Sequence, residues 1–187
     1  MAGAEVGATY NYTVSSSGGG TNVIGSGTIA TTTDQITGLD LSGLADGTLT
    51  LSVTLTDAAN NAATAATDTV TKDANAPSAP SAPLLSNASN SGSTSDTLTN
   101  DTTPTITGTA EANATVEVFV GAASAGTTPT DGSGNWSFTF GEGALASGAN
   151  SITATARDVA GNVSPASSAL IITIDAGAPT VTITGPT

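Results

Sequence analysis

The chain is expected to be all-β and built from a tandem repeat, and three observations lead there. Its composition is dominated by Thr, Ser, Ala, Gly and Asn, a mix that favours short strands and turns over helices. Thr48 to Thr56 (TLTLSVTLT) alternates without a break, which sets Leu49, Leu51, Val53 and Leu55 on one face of a strand. Motifs also recur about a hundred residues apart. Lys72 to Pro77 (KDANAP) returns as Ile174 to Pro179 (IDAGAP), and Asp57 to Asn61 (DAANN) as Asp158 to Asn162 (DVAGN). Positions 73 and 175 are 102 apart, and positions 57 and 158 are 101 apart, so the repeat governs everything else.

Composition narrows the function classes. The 187 residues carry a net charge of −13 although only 9% are charged, because Lys72 and Arg157 are the only basic side chains. Nucleic acid is excluded as a partner, since phosphates need a basic patch. A polyanionic surface recruits cations instead. Without histidine or cysteine, a serine nucleophile has no evident base and a phosphate has no cradle, so the chain is not expected to be an enzyme. No apolar run approaches the length of a membrane span, and Met1-Ala2-Gly3 does not open as a signal peptide. An extracellular chain without disulfides needs some other staple.

Taken in order, the first repeat offers strands at Ala8 to Val14, Asn22 to Ala30, Gln35 to Leu39, Thr48 to Thr56 and Ala65 to Thr71. Residues 3 to 15 (GAEVGATYNYTVS) match the segment that starts at Gly108, with Glu5 falling on Glu111. In the second repeat that segment is preceded by about thirty residues. In the first it is not. Residues 1–73 therefore read as a domain lacking its first strands, 74–77 as a linker, 78–175 as a complete domain and 176–187 as the start of a third repeat. Pro77, Pro80 and Pro83 stiffen the seam.

The complete repeat offers an opening strand near Leu84 to Leu98, then Thr103 to Thr109, Ala114 to Val120, Ser124 to Thr130, Asn135 to Phe140, Asn150 to Arg157 and Ala169 to Asp175. Seven short strands at this spacing read as an immunoglobulin-like sandwich. Asp131-Gly132-Ser133-Gly134-Asn135 reads as a hairpin turn, because it lacks the bidentate Glu of a calcium loop. Trp136 reads as a core residue and not as a sugar-stacking platform.

The topology of such a sandwich gathers acidic residues at one end. The opening strand enters at the end nearest the preceding domain, and the turns carrying Glu111 with Asn113 and Asp158 with Asn162 lie at that same end. The linker delivers Asp73 and Asn75 there. Three carboxylates that repel one another suit a hard cation taking six to eight oxygens. Calcium fits better than magnesium, which prefers fewer protein ligands. The expected middle-junction ligands are Asp73, Asn75, Glu111, Asp158 and Asn162, while Glu5, Asp57 and Asp175 belong to incomplete junction sites. The alternative for Asp158 is a purely local turn, bonded to its own backbone.

These residues resemble the bacterial immunoglobulin-like tandem repeats of large, type I-secreted, calcium-dependent surface adhesins, the extender region of adhesins of the repeats-in-toxin type. The resemblance rests on GTAEANATVEVFV at 108–120, the D-x-A-G-N turn at Asp158 to Asn162, and the D-x-x-A-P junctions at Asp73 to Pro77 and Asp175 to Pro179. It spans essentially the whole chain. Asn60 departs from the pattern where Gly161 keeps it, a mild change because Asn tolerates the left-handed conformation. The resemblance implies tandem immunoglobulin-like β-sandwich domains strung as an extended rod, a secreted or bacterial cell-surface location, and calcium at the junctions. It also implies a role in cell adhesion or biofilm formation. The partners would be neighbouring immunoglobulin-like repeats of the same chain, with no direct membrane insertion, while the distal receptor stays unnamed. Two other readings remain open: a polysaccharide- or protein-binding module, and a strand-exchanging fibre subunit in which Ala178 to Thr187 fills the first repeat of another molecule.

Overall fold

A computed structural model describes residues 4–183. Residues 1–3 of the expected first repeat and 184–187 of the expected third lie outside the described residues. The chain divides into two compact units, Met1–Asn75 and Ala76–Thr187, and each is built from strands.

The first unit is one four-stranded sheet in the order β2-β1-β3-β4, with β1 at Thr9–Ser16, β2 at Val23–Thr28, β3 at Gly47–Thr56 and β4 at Ala66–Lys72. All neighbours are antiparallel, and Thr9 faces both Thr28 and Thr56. Tyr10 and Tyr12 stand opposite Gly27 and Gly25. Their rings lie over those glycines, where a Cβ would meet the phenol oxygens and ring atoms at 2.5–2.8 Å, so the small residues leave room for the large ones across the strand pair. Two small apolar clusters form, Ala4 with Ala8 and Ile29, and Val14 with Leu44 and Leu49. The strand expected at Gln35 to Leu39 is not formed. Gly38 turns into the left-handed region at φ 70°, and Leu39 and Leu41 pack onto the second cluster from an irregular segment.

The second unit is a two-layer sandwich. One sheet has the order β10-β7-β5 and the other β6-β12-β11-β8-β9. The strands are β5 at Leu84–Leu85, β6 at Leu98–Thr99, β7 at Thr105–Thr109, β8 at Thr115–Val120, β9 at Ala123–Pro129, β10 at Asn135–Thr139, β11 at Gly148–Arg157 and β12 at Leu170–Ile174. Alternate residues point inward: Ile106, Trp136 and Phe140 from one layer meet Val116, Val118, Ile152, Ala154, Ile172 and Ile174 from the other. Six of these are fully excluded from solvent, and burial of each branched side chain stabilises by about 1.5–3 kcal/mol.

The single opening strand expected near Leu84 to Leu98 is two short strands in different sheets. β5 pairs antiparallel with β7, whereas β6 lies parallel to β12. Residues 86–97 between them are rich in Ser, Asn and Gly, whose side chains compete for backbone groups and disfavour a continuous ladder. Ser89 Oγ accepts from Thr105 N at 2.9 Å, Asn90 Nδ2 donates to Asp96 O at 2.7 Å, and Gly92 sits at φ 78°. The split lets one segment close the edges of both layers.

The second unit is also threaded from end to end. On the way in, Ser81 N donates to Thr109 O and Thr109 N to Ser81 Oγ, both at 2.9 Å. Thr115 faces Arg157 at that same end. On the way out Ile174 faces Gly148, the opposite end of β11, and Asp175 N donates to Thr99 O at 2.9 Å.

Candidate functional site: carboxylate turns at the strand ends

Both expected Asp turns follow the last residue of a long strand, Thr56 or Arg157. Asp57 Oδ1 accepts from Ala59 N and Asn61 N, and its Oδ2 from Asn61 Nδ2, all at 2.8 Å. Asp158 repeats the pattern, with Oδ1 accepting from Gly161 N at 2.7 Å and Asn162 N at 2.8 Å, and Oδ2 from Asn162 Nδ2 at 2.8 Å. The residue before each Asn is left-handed, Asn60 at φ 66° and Gly161 at φ 99°. That conformation explains why Gly or Asn must stand there.

A third copy occupies Asp131 to Asn135. Asp131 Oδ1 accepts from Ser133 N at 2.8 Å and Asn135 N at 2.9 Å, Oδ2 from Asn135 Nδ2 at 3.2 Å, and Gly134 lies at φ 82°. It is a turn between β9 and β10, as the sequence suggests, yet it shares the full architecture of the other two. The signal that finds it is Asp and Asn four residues apart with Gly or Asn just before the Asn. In all three turns the hydrogen bonds hold the carboxyl below the ordinary carboxylate value of 3.8. The Asn side chain is the leading cause at Asp57 and Asp158, and the Asn135 backbone leads at Asp131.

Within the second unit the turn containing Glu111 and the turn containing Asp158 share one end, because Thr115 and Arg157 are cross-strand partners. Glu111 lines a shallow hollow with Ser78, Ala79, Ser81, Thr109 and Ala110, so the incoming segment passes beside it. Asn113 is left-handed at φ 62°, and its N–H donates to Asp131 O at 3.4 Å. Within the first unit Glu5, Asp57 and Asn61 line one hollow with Ala8 and Leu55. Asp73 Oδ1 accepts from Asn75 N at 3.1 Å, and Asn75 Nδ2 donates to Asp46 Oδ2 at 2.6 Å. Asp175 Oδ1 accepts from Gly177 N at 3.2 Å in the equivalent turn. Among the described residues, within neither unit do three acidic side chains gather into a metal-holding cluster.

Trp136 belongs to the core. It is 4% exposed and its Nε1 finds no partner among the described residues. It therefore presents no ring face to a sugar. Among the described residues no helix is long and apolar enough to cross a membrane.

Solved structures similar to this chain include a tetra-tandem repeat from the extending region of a large adhesion protein, at 24% identity over 93% of this chain and 43% of that chain with a TM-score of 0.40. A Ca2+-stabilised, ice-binding adhesin of an Antarctic bacterium matches at 20% identity over 91% of this chain and 41% of that one, with a TM-score of 0.41. The FN1-FN3 domains of chicken CNTN1 match at 13% identity over 91% and 56%, with a TM-score of 0.48. The chain thus spans roughly half the length of each. No curated protein matches it. The family model described as Bacterial Ig-like domain matches residues 76–176, more than half of the sequence and nearly all of the two-layer sandwich, and the chain belongs to the bacterial Ig-like domain family.

Proposed function

We propose that this chain is an extender segment of a secreted bacterial cell-surface adhesin, made stiff by calcium at the junctions between its repeats. The observation that carries the reading is the end-to-end threading of the second unit, with Ser81 bonded to Thr109 at one end and Asp175 bonded to Thr99 at the other. A domain entered at one end and left at the other adds its length to a string of repeats. Ten residues of β11 alone span about 33 Å. Family membership, the hundred-residue repeat and the absence of histidine and cysteine support a mechanical and not a catalytic role.

Calcium would be held at the middle junction by Asp73 and Asn75 from the linker with Glu111, Asp158 and Asn162 from the second unit. Glu5 and Asp57, and likewise Asp175, would serve adjoining repeats. The ion would neutralise carboxylates that otherwise repel. Two of the proposed donors are already fixed, since Asp158 and Asn162 hold each other, and a carboxylate oxygen accepting one hydrogen bond keeps a lone pair for a cation. Calcium is scarce in the cytoplasm and abundant outside, so the joints would be pliable before export and stiff afterwards. Rods of this kind project a distal binding region for adhesion or biofilm formation.

The test is small-angle X-ray scattering with calcium and with excess chelator, alongside calorimetric titration of calcium. Calcium should bind and lengthen the maximum dimension, and Asp73→Ala with Asp158→Ala should abolish both effects. Superimposable scattering curves and no heat of binding would sink the calcium reading.

A further inference from the structure

In the second unit β6 and β12 run side by side in the same direction, with Thr173 N donating to Thr97 O and Asp175 N to Thr99 O, both at 2.9 Å. A pull on the two ends of this unit reaches β6 from its N-terminal side, through β5, and leaves from the C-terminal end of β12. Parallel strands drawn from opposite ends slide past one another, so their bonds are strained together and do not open one at a time. Two routes of failure exist. If β12 slides out, it parts from β11 as well as from β6; if the opening segment slides out, β5 parts from β7 and β6 from β12. Both routes break the β6–β12 pair. A strand of two residues is a poor anchor by itself, and side chains brace it. Thr99 is 1% exposed, and its hydroxyl donates to Ser89 O and accepts from Asp101 N. Ser89 Oγ in turn accepts from Thr105 N at the start of β7, which ties the braced segment to the other sheet.

We infer that the β6–β12 pair, anchored through Thr99, is a tension lock that keeps the second unit folded when the chain is pulled, and that it works without calcium. The lock presupposes a pull along the chain, and in that it rests on the extender reading above. It adds a division of labour: calcium acts between repeats, whereas strength within a repeat resides in this pair. Resistance to force is a matter of unfolding rate and not of equilibrium stability, so the lock gives a signature that ordinary core packing does not. Residues outside the sliding pair can lower the stability of the fold and leave the rate of rupture alone. Val116 is such a residue, fully buried on β8, which pairs with β9 and β11 and with neither β6 nor β12.

Optical tweezers on the full chain, held by peptide tags at both ends in excess chelator, test this. The step belonging to the second unit is identified with Leu98→Cys/Thr173→Cys, a cross-strand pair in a chain with no other cysteine; its disulfide shields residues 99–172 from the pull, and reductant restores the step. Asp175→Pro deletes the N–H that bonds Thr99 O, and at fixed force the step is expected about fivefold faster, the worth of one hydrogen bond. Thr99→Val loosens the anchor and should also speed the step, and Thr99→Ser should restore it, so the comparison stands through β6 if the proline variant does not fold. Val116→Ala should lower the urea midpoint yet leave the step at its wild-type rate. A wild-type step that vanishes in chelator, Asp175→Pro and Thr99→Val steps at the wild-type rate, or a Val116→Ala step as fast as theirs would each overturn the inference. Failure of the extender reading looks different: scattering that ignores calcium removes the calcium joints and leaves these rates as they are.

Discussion

Trp136 faces Gly108 across the β7–β10 pair, and its indole occupies the space that a side chain at Gly108 would need. A Cβ there would lie 2.5 Å from Cζ2 and 2.7 Å from Cε2 of the ring. The ring is 4% exposed and held by the core, so it has nowhere to retreat. Gly108→Ala is expected to destabilise the second unit by about 1–3 kcal/mol, the usual cost of overpacking. Gly132→Ala, where a Cβ meets nothing within 4 Å, serves as the control. Urea unfolding followed by the fluorescence of Trp136, the one tryptophan, reads both.

Acid should loosen the three Asp turns together. The folded-state pKa of Asp57, Asp131 and Asp158 lies below the ordinary value of 3.8. A depressed pKa contributes stability that is fully present above that ordinary value and is lost as pH falls through the folded one. Stability in chelator is therefore expected to hold level from neutral pH down to the ordinary carboxylate range and to decline below it. Asn162→Ala removes the leading cause of the Asp158 shift and should lower the stability of the second unit at neutral pH while shrinking its decline in acid. Urea midpoints measured at a series of pH values check both statements.

Much of the fold was legible because β-strands announce themselves by alternation. Thr48 to Thr56 is nearly all of β3, and six of the seven strand positions expected in the second repeat agree with the structure to within a few residues. What escaped was conformational detail set by partners distant in sequence. Nothing local distinguishes Leu84 and Leu98 as members of different sheets; that assignment comes from their cross-strand partners Thr107 and Thr173, distant in sequence. Gln35 to Leu39 looks extended until Gly38 takes a positive φ. Of the candidate site, the Asp–Asn turns could be read from spacing, since their bonds run over four residues. The kinship of Asp131 with Asp57 and Asp158 is hard to see in the sequence because Gly-Ser fills its turn where the other two carry Ala-Ala and Val-Ala.

Thr99 knots the segment that divides the opening strand. It is 1% exposed; its hydroxyl donates to Ser89 O at 2.5 Å and accepts from Asp101 N at 3.0 Å. Thr99→Val keeps the shape and removes these bonds together with the two longer ones from Ser91 N and Oγ, leaving Ser89 O and Asp101 N without them in a protected place. The expected cost is about 1–3 kcal/mol. Hydrogen exchange should then speed up at residues 89–101 while the amides of β8 and β11 remain protected. Equal acceleration everywhere would mean that Thr99 supports the whole core and not this segment.

The repeat also allows one position to be tested twice. Ile172 and Val70 are equivalent by sequence spacing, yet Ile172 is 0% exposed between two layers and Val70 is 64% exposed at an edge. Truncating a packed side chain removes its transfer energy and leaves a cavity, so Ile172→Ala should cost about 2–5 kcal/mol. Val70→Ala creates no cavity and should stay within about 0.5 kcal/mol. The chain supplies its own reporters: both tyrosines, Tyr10 and Tyr12, lie in the first unit and the sole tryptophan in the second. Denaturation of Ile172→Ala is expected to shift the tryptophan transition alone, and Val70→Ala to leave the tyrosine transition in place. A large loss from Val70→Ala would mean that Val70 is packed in solution and not exposed at the edge.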